Sequence, residues 1–124
     1  MRILQALSGA ALLLGLNGAF ASSALAHAFL DHAEPRVGST VHASPPELRL
    51  SFTQELEPAF STVVVEDEKG TRVDKGDVRV DANDATLLSV SLNPLPPGTY
   101  KVIWRVVSVD THPTEGDFTF QVAP

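Results

Sequence analysis

"TYKVIWRVVSVD" (residues 99–110) is the longest strand signal in the chain and carries its single tryptophan. Tyr100, Val102, Trp104 and Val106 fall on one side of a period-two pleat, with Lys101 and Arg105 on the other. That pattern predicts a half-buried strand with Trp104 as a core aromatic between two packed sheets. Just before it, "NPLPPG" (93–98) reads as a turn, since proline offers no amide hydrogen and Gly98 admits positive φ. Beyond it, "DFTFQV" (117–122) alternates cleanly near the end of the chain.

Further back the same signals recur. "TLLSVSL" (86–92) is a short strand, and "STVVVEDEKGTRV" (61–73) reads as a β-branched strand, an acidic turn at Gly70 and a return strand. "ELRLSFTQ" (47–54) alternates Leu48, Leu50 and Phe52 with polar partners. "AFLDHAEP" (28–35) and "GSTVHA" (38–43) give two shorter strands interrupted by Pro35 and Gly38. No helical apolar repeat breaks this series. About seven short strands with proline and glycine turns predict an all-β fold: an antiparallel Greek-key sandwich or barrel, cupredoxin-like or immunoglobulin-like.

Residues 1–26 have a different character. Met1-Arg2 is a minimal basic start, an apolar stretch follows, and Ala24-Leu25-Ala26 is the small-x-small pattern that signal peptidases accept. A cleaved export signal over 1–26 and one domain over 27–124 are therefore expected, with no membrane insertion after cleavage. The 98 residues left of the 124 suit one small core. Net charge is −6, becoming −7 when Arg2 leaves (8 basic against 15 acidic residues), which disfavours nucleic acid and anionic lipid and attracts cations.

There is no cysteine. That excludes thiolate nucleophiles, iron–sulfur clusters, Cys-type zinc sites and blue-copper centres. Met1 is the only methionine and departs with the signal, so no thioether remains for copper(I). Metal chemistry in this chain rests on nitrogen and oxygen.

The four histidines are His27, His32, His42 and His112. His112 lies in "SVDTHPTEG" (108–116). In an extended segment residues i and i+2 point the same way, which predicts Asp110 and His112 on one side and Thr111 on the other. Pro113 biases His112 towards an extended backbone. A D-x-H pair alone is a weak metal signal, and so is a histidine behind a cleavage point. Together they complement each other. A first-residue histidine offers its free amine and ring Nδ1, which close a six-membered chelate. An α-amino group has a pKa of about 7.7–8.0, so a metal displaces its proton readily near neutrality. With His112 and Asp110 the set is three nitrogens and one oxygen, which suits tetragonal copper(II). The Xaa-Xaa-His copper motif is set aside because the third residue of the processed chain is Phe29. His32 and His42 read as exposed residues outside the main site.

These stretches resemble a known family. "HAFLDHAEPRVGSTVHASPPELRLSF", "GTYKVIWRVVS" and "DTHP…G…F.F.V", in this order and separation, are similar to the CopC-type periplasmic copper-resistance proteins, from His27 to Val122. The resemblance implies a periplasmic domain that binds one copper(II) per chain and carries or buffers it, with His27, Asp110 and His112 as ligands. It also implies an inner-membrane copper transporter of the CopD type as partner, and a monomeric carrier. Thr111 stands where the family often has glycine. Many members place an acidic residue soon after the strand matching 47–52, where this chain has Thr53-Gln54-Glu55, and Glu55 is the candidate for that place. The methionine-rich copper(I) loop of some members has no counterpart in residues 61–97.

Two other functions fit parts of the pattern. An oxidative copper enzyme would use the same N-terminal histidine brace, but 98 residues leave little substrate platform, and the Asp110 carboxylate favours copper(II) over copper(I). A metal-free sandwich module would be indifferent to His27 and Asp110. The carrier is the expected function, with no catalytic activity.

Overall fold

The computed structural model describes residues 27–124; the expected export signal, 1–26, lies outside them. One four-stranded sheet runs β1 (Leu30–Glu34), β3 (Glu47–Phe52), β6 (Asp84–Ser91) and β5 (Arg79–Asp81). The other runs β2 (Thr40–Val41), β8 (Pro113–Val122), β7 (Gly98–Val107) and β4 (Thr62–Glu66). The chain crosses between sheets in a Greek-key path. In immunoglobulin lettering β1, β3, β6 and β5 occupy the A, B, E and D places and β4, β7 and β8 those of C, F and G. Of the two sandwich types left open by the sequence, the strand order is the immunoglobulin one.

Tyr100 adds a second mark of that type. It stands near the start of β7, and its hydroxyl donates to the carbonyl of Pro96, four residues back in the preceding loop. This is the tyrosine corner of immunoglobulin-like sandwiches, and it fixes how the proline turn enters the strand.

The inner faces supply the core. Leu48, Leu50, Phe52, Leu88 and Val90 face Val63, Val65, Val102, Val106, Phe118 and Phe120 across the sandwich. Each fully buried aliphatic or phenyl side chain contributes about 1.5–3 kcal/mol, which a domain without disulfides requires. Trp104 is in the core as expected, 8% exposed, with its ring edge-on to Phe52 at 5.2 Å.

Four details depart from the sequence reading. Pairing is not uniformly antiparallel: β2 runs parallel to β8. The return strand expected up to Val73 makes only isolated bridges, Glu66 to Arg72 and Asp74 to Leu92. Val73 N–H still donates to Val65 O at 2.9 Å, and a buried carboxylate adds to that main-chain bond. Asp74 accepts from Val65 N–H at 2.9 Å, from Gly76 N–H at 3.0 Å and from the Arg72 guanidinium at 2.7 Å. The edge of the first sheet is β5, too short to stand out in the sequence. Finally, β8 begins at Pro113 rather than at Asp117, because a first strand position tolerates proline. The β7–β8 pair is thus long and registered from Gly98↔Val122 to Val107↔Pro113. Its tight end carries the candidate site.

Candidate metal centre

The site begins as a turn. At the end of β7, Thr111 N–H donates to Ser108 O at 2.8 Å and Ser108 N–H donates to His112 O at 3.2 Å. Val109, Asp110 and Thr111 therefore form a three-residue hairpin loop, with Thr111 at φ +72. A turn closed by a residue in the left-handed region is the usual construction of such loops. This corrects the expected extended geometry: the turn, rather than the pleat, turns Asp110 and His112 to the same side. The left-handed position also explains physically why glycine suits this place, since a β-branched side chain there is strained.

Within the loop, the buried Ser108 hydroxyl donates to Asp110 Oδ1. His112 Nδ1 lies 3.4 Å from the same oxygen. The Ser108 hydroxyl, against some desolvation and with help from the His112 ring, holds the Asp110 carboxyl below its ordinary range. Asp110 thus stays anionic, and it is open: the Asp110 and His112 side chains are 44% and 49% exposed.

His27 reaches this loop from the other end of the described chain. Residues 27–29 precede β1 and follow no ladder. Ala28 is fully buried, and its carbonyl accepts from Thr114 Oγ1 at 2.7 Å. Phe29 N–H donates to Thr53 Oγ1 at 2.9 Å, and Thr53 N–H returns a bond to Phe29 O at 2.9 Å. So held, the His27 imidazole sits 4.8 Å from that of His112, centroid to centroid and tilted by 41°. Its other ring neighbour is the exposed Phe29, at 6.2 Å.

His27, Asp110 and His112 are thus neighbours in space, although the first lies more than eighty residues from the others. Among the described residues no three His, Asp or Glu side chains form a ready-made metal cage. The side chains of His27, Asp110 and His112 are thus close to one another without converging as a group of three on one point.

The remaining candidates are elsewhere or indirect. His32 is on the solvent side of β1, its Nδ1 3.0 Å from Asp31 Oδ2. His42 is exposed and follows Val41, which pairs with Val122, so it is at the far end of β8 from Pro113. Glu55 borders the loop through its main chain, whose carbonyl accepts from Val109 N–H at 3.0 Å. Its side chain is exposed. Sequence reasoning passed over Ser108, Thr53 and Thr114. A serine two residues before an aspartate at a turn was a readable sign of the first; the two threonines act on residues far away in the chain and carry no local signature.

Comparison with known proteins came out consistently. The family profile described as "CopC domain" matches residues 30–123. "Protein YobA" of Escherichia coli is 38% identical over 101 residues, covering 81% of this chain and 82% of the relative. The crystal structure of CopC from Methylosinus trichosporium OB3b superposes with a TM-score of 0.74 at 36% identity, over 79% of this chain and 95% of that one. PcoC from Escherichia coli, described as a methionine-rich copper resistance protein, does so at 0.68 and 36%, over 78% of this chain and 99% of that one.

Proposed function

The chain belongs to the CopC family, and on that footing we propose that it is a copper carrier that takes one copper(II) ion per chain at His27, Asp110 and His112. The observation that carries the assignment is the 4.8 Å approach of the His27 and His112 rings beside the Asp110 carboxylate. After removal of residues 1–26 the His27 amine joins its own ring as a chelate, and His112 and Asp110 complete three nitrogens and one oxygen. Copper here is cargo. A half-exposed site at the tip of a hairpin lets the ion enter and leave without opening the core.

The same donors set the direction of the chemistry. An anionic carboxylate with three nitrogens stabilises copper(II) over copper(I), which suits storage and delivery better than redox turnover. Unlike the methionine-rich PcoC, the chain has no methionine beyond Met1, so the proposal includes no copper(I) site. The cargo is released as pH falls, because amine and imidazole must lose protons to bind. The carrier works as a monomer in the periplasm and exchanges copper with an inner-membrane transporter of the CopD type. Among the described residues no helix is long and apolar enough to cross a membrane.

The test is a copper(II) titration of the processed chain against a competing chelator, with His27→Ala and Asp110→Ala beside it. One equivalent bound tightly, and weakened in both variants, is the expected result. Unchanged affinity in both would remove the site.

A further inference from the structure

His27 has no strand of its own to hold it, because β1 begins only at Leu30. A free chain end samples many positions, and a ligand on it meets the others only in the fraction of time it is docked. Two side-chain hydroxyls, one from each sheet, oppose this. Thr53, just past β3, exchanges hydrogen bonds with Phe29 and so continues the β1–β3 pairing of the first sheet. Thr114 does something different. It lies on β8, opposite Val106, two residues from His112. Its hydroxyl donates at 2.7 Å to the carbonyl of Ala28, a residue with no exposed surface. This bond ties the arm to the sheet that carries Asp110 and His112.

We propose that Thr114 is a positioning residue for copper(II): its bond to Ala28 holds His27 against the Asp110–His112 pair and thereby sets the affinity of the site. The proposal rests on the ligand assignment above. Removing the hydroxyl leaves the Ala28 carbonyl without its partner in a place water does not reach, and the arm relieves this by undocking. Apparent affinity then falls in proportion to the docked fraction. No ligand is lost, so saturation with one copper remains attainable.

The experiment is a double-mutant cycle on the processed chain beginning at His27. Copper(II) affinity is measured by chelator competition for the native chain, Thr114→Val, Thr114→Ser, His27→Ala and the His27→Ala/Thr114→Val double variant. Expected are an affinity about tenfold weaker for Thr114→Val, restoration by Thr114→Ser, and a smaller further loss when Thr114→Val is added to His27→Ala, whose arm still carries the amine but no ring. Should Thr114→Val not fold, Thr114→Ala removes the hydroxyl without adding a methyl group and carries the same comparison. Native affinity in the hydroxyl-less variant, or an equal loss with and without His27, overturns the proposal; the latter marks Thr114 as merely structural. If His27→Ala itself binds copper as the native chain does, the ligand assignment fails first, and the tie to His27 has no bearing on copper.

Discussion

Gly116 lies directly across the β7–β8 pair from Trp104, so close that a Cβ on it would come within 2.6 Å of the indole ring. Gly116 is absent from the glycines with positive φ, so space rather than backbone freedom requires it. The indole fills the place of the missing side chain and meets Phe52 edge-on at 5.2 Å. This packing lies under the segment from Phe52 to Thr53 that receives the N-terminal arm.

Gly116→Ala is therefore expected to destabilise the domain by about 2 kcal/mol through overpacking. For a domain of this size that is a fall in Tm of about 10 °C. Thermal unfolding followed by tryptophan fluorescence checks it, and an unchanged Tm would show that Trp104 moves aside without cost.

Thr111 gives a prediction of the opposite sign. A threonine at φ +72 is strained, and glycine relieves the strain while adding freedom to the unfolded chain. The balance favours Thr111→Gly by about 0.5–1 kcal/mol. Urea unfolding should show a higher midpoint with an unchanged m-value. A lower midpoint would mean that the Thr111 hydroxyl bond to the Asp110 carbonyl, 2.6 Å long, outweighs the strain.

Acid stability should depend on Asp74. Its side chain has no exposed surface, and burial alone would raise its pKa. The Arg72 guanidinium and the N–H groups of Val65 and Gly76 overcome that and hold it below the ordinary carboxylate range. A carboxyl lowered on folding contributes stability that is complete above its unfolded pKa and lost as pH falls through its folded one. Asp74→Asn should therefore cost about 2 kcal/mol near neutrality. The two stability curves should converge only below about pH 4. A difference that stays constant across that range would place the contribution in packing instead of charge.

The sequence made the sandwich legible where strands alternate over many residues, as in 47–52, 98–107 and 117–122. It was weak where a single side chain supplements sparse pairing. Asp74 links residues 72–76 to β4 by one bond, from Val65 N–H, its other three contacts going to Arg72 and Gly76, and nothing in "TRVDKGD" announces a carboxylate turned inward. At the site, the residue types were readable and the backbone was not. Asp110 and His112 share a side because of a tight turn with Thr111 in the left-handed region, whereas their spacing alone suggested an extended strand. The ties from Thr53 and Thr114 depend on both sheets closing over residues 27–29, and such long-range contacts leave no periodic trace.

Adding one glycine before His27 should remove the amine from the chelate while leaving every side chain in place. Loss of outer-shell partners alone weakens metal sites by about 10- to 100-fold, so loss of a direct ligand should exceed that. Chelator competition on the extended chain decides it, and undiminished affinity would exclude the amine.

On the proposed assignment, cleavage before His27 creates a ligand that meets two others across the fold. Electron paramagnetic resonance of the processed chain loaded with one equivalent of copper(II) tests it most directly. The expected result is a tetragonal spectrum with hyperfine coupling to three nitrogens, falling to two in His27→Ala, which keeps the amine and loses the ring. A spectrum showing a single nitrogen, or one that His27→Ala leaves unchanged, would contradict it.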